Sequence, residues 1–459
     1  MGDKRQKMQL ELAFTAERKG EARPSDGKGT ESSMARYETE SLAESAGLME
    51  AVCETKNLKQ ALRRVKGNGG SPGIDGMKTE ELPAWLIENW TRVREQLLTG
   101  RYQPQPVKRV EIEKPDGGTR QLGIPTVIDR FVQQAVQQVL QGIWEPTFSD
   151  SNYGYRPGRS AHQAIAAAQR HLEEGYGWVV DIDLEKFFDR VHHDRLMARV
   201  ATRVKDKRML HLIRAFLTAG VLEGGLVSPS EEGTSQGGPL SPLLSNIVLD
   251  ELDEELEKRG HKFARYADDC NIYVRSNRAA QRVMGSMRRL ISARLRLRIN
   301  EKKSAVARPH ERKFLGFTFT SGAKPRRLIA PKAKLRFKNR IREITSRTRG
   351  RKLSDVVQEL NLYTTGWRGY FGFCETPRVL EELDGWIRRR LRAYLWKQYK
   401  TFKKRRTALL QRGVNRDHAS TLAASQKGPW RISLTTTLSK ALSKSFFDSA
   451  GLVRLAQPT

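Results

Sequence analysis

Cysteine is nearly absent: Cys53, Cys270 and Cys374 are the three in 459 residues, far apart and in no metal-ligand spacing. Neither a disulfide framework nor a zinc site is expected from them. No apolar run approaches bilayer length and the N-terminus has no apolar signal core, so the reading is a soluble, intracellular protein without a membrane partner. Negative charge is in deficit too. Asp and Glu number 52 against 83 Lys and Arg, giving a formal charge of +31 and a pI near 10.2. A charge of that size implies a polyanionic partner, and nucleic acid is the one expected. The glycine-rich stretch GNGGSPGIDG, Gly67 to Gly76, lacks the Lys-Ser/Thr ending of a P-loop and reads as a structural turn.

What is present is organised around FARYADDCNIYV, Phe263 to Val274. Apolar runs enter and leave, with two adjacent aspartates between them, the pattern of a tight β-hairpin with Asp268 and Asp269 at its turn. Two confined carboxylates repel, and a divalent cation restores the charge balance. Upstream, WVVDIDLEKFFDRVHH, Trp178 to His193, begins as a buried strand and is expected to turn helical around Leu184, with Asp181, Asp183 and Asp189 near one strand end. Metal-dependent phosphoryl transfer wants carboxylates on separate rigid strands, so that two ions roughly 3.5–4 Å apart can hold the attacking and leaving oxygens. Asp183, Asp268 and Asp269 would supply such a set. His192 and His193 are expected to be surface or core residues.

Other segments fit around these. Residues 1–45 are polar and aperiodic and read as a flexible extension; helical periodicity follows at 46–65, 78–99 and 128–140. VKRVEIEKPDGGTRQLGIP, Val107 to Pro125, reads as a second hairpin whose Lys114 and Arg120 flank the turn and could converge on one anion. YGYRPGRSAHQAIAAA, Tyr153 to Ala168, is a loop feeding an alanine-rich helix, and its Arg156 suits contact with a nucleic-acid backbone. TSQGGPLSP lets the backbone approach a ligand at Gly237 and Gly238 before a long amphipathic helix.

In order, GIDG, RQLGIP, YGYRPGRS, DIDLEKFFD, TSQGGPLSP, RYADD, LRLRINEKKS and FLGF resemble the motifs of bacterial group II intron reverse transcriptases, or maturases, from about residue 60 nearly to the end. The resemblance implies an α+β fold, a right-hand polymerase with fingers and palm over 46–322, a helical basic thumb (maturase) domain over 323–411 and a short basic segment over 412–459. It implies that Asp183, Asp268 and Asp269, assisted by the Leu184 carbonyl, bind two Mg2+ ions, and that Asp181 is not a ligand. By the same resemblance Phe188 excludes a ribose 2′-hydroxyl, Lys114 and Arg120 meet the incoming triphosphate, and Gln236 lies near nucleotide and template. Lys303 and Gly316 correspond to elements supporting the catalytic hairpin and the primer end.

From Lys324 to Arg406 there are 25 Lys and Arg against 7 Asp and Glu, a net +18. Aromatics are interleaved, most of them expected in helix cores. Such helices suit structured RNA, through phosphate neutralisation and aromatic packing. LNLYTTGWRGYFGFCE, Leu360 to Glu375, is similar to the family's thumb signature, and Trp367, Arg368, Arg388, Arg389, Arg390, Lys403 and Lys404 are the residues expected on RNA or primer-template. Family members that cut their own DNA target carry a further His- and Cys-bearing nuclease domain. Only His418 follows Cys374 here, so priming from an existing DNA end is expected. The partners implied are group II intron RNA, a DNA target and primer, and dNTPs, in the bacterial cytoplasm at the nucleoid, with a homodimer left open. Two alternatives stand beside RNA-templated DNA synthesis: a splicing cofactor that folds intron RNA without significant polymerisation, and a related reverse transcriptase with a non-intron role such as phage defence. The TTGWRGYFGF stretch counts against the second.

Overall fold

The computed structural model describes residues 47–113, 117–223, 226–229 and 232–456, so the N-terminal extension and Lys114 lie outside the described residues. The chain divides into two compact units, Met1–Ala168 with Tyr176–Ala307, and Gln169–Gly175 with Arg308–Thr459.

In the first unit, helices α1 (Thr55–Asn68) and α2 (Leu82–Leu98) precede a hairpin of β1 (Val107–Glu113) and β2 (Thr119–Ile124). The hairpin register runs from Lys108 opposite Ile124 to Glu113 opposite Thr119. Helix α3 (Val127–Trp144) follows; the Thr126 hydroxyl caps it by accepting from the Asp129 amide, and Val127, Phe131, Val132, Ala135, Val136, Leu140 and Trp144 form its buried stripe. Arg130 on this helix donates to the carbonyls of Gly69 and Ser71, which pins the glycine-rich stretch as the structural turn expected of it.

Strand β3 (Trp178–Ile182) is followed by β4 (Val221–Glu223), β5 (Leu226–Ser228), helix α4 (Ser241–Lys258), the hairpin β6 (Lys262–Tyr266) and β7 (Asp269–Val274), helix α5 (Asn277–Ala293) and β8 (Ala305–Ala307). Two four-stranded sheets result, ordered β2-β1-β4-β5 and β6-β7-β3-β8. Strand β3 lies between β7 and β8 and is antiparallel to both, so its WVV run packs on both faces. Beyond Ile182 the chain does not become α-helical at Leu184. Leu184 forms a bridge with Ile299, Glu185 donates to the Arg298 carbonyl, and a short 3-10 turn spans Phe187–Asp189. This added pairing with the segment before β8 outcompetes helix formation there.

The second unit opens with β9 (Phe317–Phe319) and β10 (Arg327–Ile329), an antiparallel pair, and continues as helices α6 (Pro331–Ile344), α7 (Leu353–Phe371), α8 (Pro377–Gln398), α9 (Phe402–Leu410) and shorter turns of helix. Its core is aromatic: Trp367 packs 4.3 Å from Phe337 and 4.7 Å from Phe371 between ring centroids, and Tyr394 and Trp396 are buried. Among the described residues no helix is long and apolar enough to cross a membrane.

The buried carboxylate of Asp384 on α8 accepts from the amides of Leu455, at 2.9 Å, and Ala456, at 3.0 Å. Asp384→Ala strands both donors and is expected to cost about 2–3 kcal/mol. Urea denaturation should show that loss, and limited proteolysis should release the segment around Leu455 first.

Candidate functional site

Strands β6 and β7 are joined by two residues, Ala267 and Asp268, and Tyr266 pairs with Asp269. Ala267 has φ +57, which a tight hairpin turn demands and which is strained for a residue with a Cβ. Asp268 therefore sits on the turn and Asp269 opens β7. Since Ile182 pairs with Cys270, the end of β3 is carried to the same edge and Asp183 follows directly. Asp183 is fixed by its backbone: its amide donates to Ser304 Oγ at 2.9 Å, and its carbonyl accepts from the Asn300 amide at 2.8 Å. Because residues 183 and 185 make the bonds to the 298–300 segment, the carbonyl of Leu184 points to the opposite side.

Electrostatics tie these groups together. Burial, and then the negative charge of Asp183, hold the Asp268 carboxyl above its ordinary value, while Arg120 and Lys303 act to lower it. Lys303 Nζ lies 3.5 Å from Asp183 Oδ2. Tyr155 feels the same site: burial and then Asp268 push its phenol up, and its ring centroid is 6.1 Å from that of Tyr266. Among the described residues no three His, Cys, Asp or Glu side chains are gathered closely enough to hold a metal ion. The donor set nonetheless fits a hard cation. It offers carboxylate oxygens only, and one of its members is destabilised as an anion by burial and a neighbouring anion.

The apex is braced from behind. Arg265 is fully buried and grips Asp253 of α4, Nε to Oδ1 at 2.7 Å and Nη2 to Oδ2 at 2.5 Å. Its Nη1 donates to the carbonyl of Ala267 at 2.9 Å and to Asn246 Oδ1 at 3.1 Å. Burial opposes the Arg265 charge, and Asp253 outweighs it, so the guanidinium is held above its ordinary value. Asn246 in turn donates to the Gly154 carbonyl at 2.8 Å. A Cβ on Gly154 would stand 2.2 Å from the Ala267 amide nitrogen, so only glycine lets this loop run under the apex. Arg265, Asp253, Asn246 and Gly154 were not singled out by sequence reasoning. The available signal was an arginine inside the otherwise apolar run FARYA, a buried charge in want of a partner.

Other expected site residues divide into three groups. Arg120 lies on β2 opposite Ile112, exposed and within electrostatic reach of Asp268. Phe188 and Gln236 line one cavity of about 480 Å3 with Gly123 and Asp189, and the three aspartates do not line it. Gly316 has φ +82 in the second unit, where a Cβ would come within 3.1 Å of the Phe371 ring. Arg368, Arg388, Lys403 and Lys404 have no side-chain hydrogen bond or ion pair among the described residues, and Lys403 and Lys404 are exposed.

Four expectations of nucleic-acid contact need correction. Arg156 is buried, with Nε on Glu145 at 2.9 Å and Nη1 on the carbonyls of Ser149 and Asn152; it holds its own loop. Trp367 belongs to the aromatic core. Arg389 lies 3.8 Å over the Trp430 ring, and Arg390 donates to Thr345 Oγ1 at 3.0 Å, so both knit helices of the second unit. Gly237 and Gly238 approach protein rather than an open ligand site: added Cβ atoms would meet the Gly123 carbonyl at 2.6 Å and Gln133 Oε1 at 2.2 Å. His193 is buried with its Nε2 2.6 Å from the Gly233 carbonyl, and His192 caps the following helix, as core and surface roles require.

Residues 112–319 match the family described as reverse transcriptase (RNA-dependent DNA polymerase), and residues 334–413 match the group II intron maturase-specific domain. Protein YkfC of Escherichia coli (strain K12) is 34% identical over 303 residues, 57% of this chain and 79% of that protein. Group II intron-encoded protein LtrA of Lactococcus lactis subsp. cremoris is 37% identical over 206 residues, 45% of this chain and 34% of LtrA, so the chain spans about a third of that relative. Among solved structures, a chain of a partial Cas6-RT-Cas1–Cas2 complex is 25% identical with a TM-score of 0.34, covering 54% of this chain and 42% of its own. A polymerase-type palm joined to a maturase-specific helical region is the class these observations define. The chain belongs to the group II intron reverse transcriptase and maturase family.

Two predictions follow from the site's electrostatics. Arg265→Met leaves Asp253 buried and unpaired and should destabilise the first unit by about 3–5 kcal/mol, whereas Arg265→Met with Asp253→Leu should recover most of that loss. Equilibrium denaturation of the two single variants and the double closes the cycle; a loss in the double equal to the sum of the losses in the two singles would show that the pair is not coupled. Asp268, with its carboxyl held high, binds a proton more tightly folded than unfolded. Its stabilising contribution is present below the ordinary aspartate value and is lost as pH rises through the folded one. Metal-free Asp268→Asn should therefore gain thermal stability over the parent as pH is raised above the ordinary aspartate range of about 4, measured by melting across pH.

Proposed function

We propose that this protein copies intron RNA into DNA by nucleotidyl transfer and also binds that RNA to assist its splicing. The observation that carries the first part is the two-residue turn that sets Asp268 and Asp269 beside the end of β3, where Asp183 follows. In the proposed reaction the 3′-hydroxyl oxygen of a primer attacks the α-phosphorus of a template-paired dNTP, the bond to the bridging oxygen breaks, and pyrophosphate leaves.

Two Mg2+ ions, if bound here, would supply a lowered pKa for the attacking hydroxyl and neutralisation of charge on the leaving group. Asp183, Asp268 and Asp269 would hold them, with the Leu184 carbonyl. Arg120 is assigned to the triphosphate, and so is Lys114, which lies outside the described residues. Phe188 is assigned to the sugar, where its ring excludes a 2′-hydroxyl, and Gln236 to the nucleotide and template. Lys303 holds the Asp183 carboxylate and supports the hairpin. Template choice comes from base pairing, so the protein's contacts read shape and backbone rather than sequence.

The maturase role is assigned to the second unit, with Arg368, Arg388, Lys403 and Lys404 as its free cations toward intron RNA, and with the bacterial cytoplasm, at the nucleoid, as its place of action. Support for it is the match of residues 334–413 to the maturase-specific domain.

Primer extension on an RNA template with dNTPs and Mg2+ tests the reading. Asp268→Ala with Asp269→Ala should abolish extension and leave RNA affinity within about twofold, since neither residue is placed on the RNA-binding unit. No extension by the parent, with tight RNA binding, would replace the polymerase reading with that of a splicing cofactor. Lys403→Ala with Lys404→Ala should weaken intron RNA binding and reduce its salt slope by about 1–2, measured by titration across salt concentrations.

A further inference from the structure

The β6–β7 hairpin has a second end. Where Lys262 pairs with Tyr273, roughly 17 Å from the apex at about 3.4 Å per residue, a cavity of about 450 Å3 opens between the hairpin, the first turns of α5 and the segment before β3. Its wall is apolar and aromatic, with Tyr176, Val274 and Val283 contributing, and Lys262, Arg275 and Arg282 stand around it. All three cations are exposed, and none has an ion-pair partner among the described residues. The Arg275 guanidinium lies 5.0 Å over the Tyr176 ring.

These cations contrast with their surroundings. Arg259, also at the cavity, is neutralised by Glu255 at 2.6 Å, and elsewhere in the first unit Arg195, Arg199 and Arg265 each have a carboxylate. His261 is held below its ordinary value by burial and then by Arg259, so it is neutral near pH 7. Three unneutralised cations converging on a concavity attract an anion, and the wall behind them offers packing for a planar ring. The volume falls within the range of small-molecule sites, enough for one nucleotide. A base paired within a duplex cannot enter such a cavity, whereas an unstacked base can.

We propose that this cavity is a second nucleic-acid site, remote from the carboxylates, that takes one unstacked nucleotide of single-stranded RNA. The base packs against Tyr176, Val274 and Val283, and Lys262, Arg275 and Arg282 hold the flanking phosphates. The inference rests on the nucleic-acid reading of the protein, and its test separates the two.

The full chain is compared with a Lys262→Glu, Arg275→Glu, Arg282→Glu variant and with Tyr176→Ala, using a fluorescent oligouridylate containing 4-thiouridine. The charge variant should lose about tenfold or more in affinity and show a salt slope smaller by about 2. Tyr176→Ala should lose about tenfold with its slope unchanged. Ultraviolet cross-links should map to the peptide carrying Tyr176 or Val274, and AMP should not compete. Extension of a pre-annealed primer at saturating template should stay within twofold of the parent in both variants.

Unchanged affinity and no cross-link in the cavity would overturn the inference while primer extension by the parent upheld the polymerase reading. Loss in the charge variant alone would reduce the site to a basic patch and overturn the nucleotide pocket. Displacement by AMP would overturn the RNA assignment in favour of a free-nucleotide site. A parent that neither extends a primer nor binds RNA would overturn both readings.

Discussion

The first unit depends on an ion pair with no access to water. Arg265 and Asp253 are both fully buried, and desolvating two charges costs several kcal/mol each unless every lone pair and proton is satisfied. Here the guanidinium makes two bonds to Asp253 and one each to Asn246 and the Ala267 carbonyl. The last bond is the one that matters for chemistry. It reaches the turn residue in a left-handed backbone, so the conformation that presents Asp268 is held by a side chain of β6 two positions before Ala267. Such a pair is weak grounds for stability, since apolar residues of like volume could pack as well. It does tie the turn to the helix, because the bond from Arg265 to the Ala267 carbonyl is lost if that carbonyl moves away.

Helix α4 explains how so basic a chain affords this. Its second half carries Asp250, Glu251, Asp253, Glu254, Glu255 and Glu257, an acid-rich run that could be mistaken for a cation site. The structure uses these acids as counter-ions: Glu251 meets Arg195, Asp250 and Glu254 share Arg199, Asp253 meets Arg265, and Glu255 meets Arg259 and Arg294. Burial raises Asp250 to about 6 despite Arg199, a sign of how far this face is withdrawn from solvent. Arginines near this helix are thereby structural. Lys262, Arg275 and Arg282, by contrast, have no ion-pair partner among the described residues.

Period-two alternation on either side of a turn makes both hairpins readable in the sequence, and the WVV run reads as a buried strand, as β3 is. Helix stripes were equally plain in Val127–Trp144, whose apolar spacing is a 3.6-residue repeat. Side-chain fates were harder. Arg156 and Arg265 are both arginines in motif segments, and nothing local distinguishes them from phosphate ligands; their partners lie at Glu145 and Asp253, 11 and 12 positions away in the chain, on other elements. Trp367 was assigned outward although the same segment's Phe371 and the distant Phe337 enclose it. The extended backbone at Leu184 was missed for a related reason: its stabilising bonds come from residues 298–300. Local pattern sets the type of the long helices and hairpins, whereas the backbone at Leu184 and the burial of a charge are decided by long-range pairing.

Gathering carboxylates at a strand edge raises a folding problem that must be solved before any metal arrives. Asp183 and Asp268 repel, and burial makes ionisation of Asp268 costlier still. Arg120 and Lys303 offset part of that cost, and the two cations do so from different directions: Arg120 comes from a strand of the other sheet, and Lys303 from the segment leading into β8. The ammonium of Lys303 is therefore a resident counter-charge for Asp183. A divalent ion brings twice its charge and can be shared by several oxygens, so it outcompetes a single ammonium where carboxylates can converge. The same economy sets a limit on the site. A stronger fixed cation in place of Lys303 would make the metal-free fold more stable and the metal harder to admit, and a neutral residue there would leave the repulsion between Asp183 and Asp268 to be borne by the hairpin that Arg265 and Asp253 hold in place.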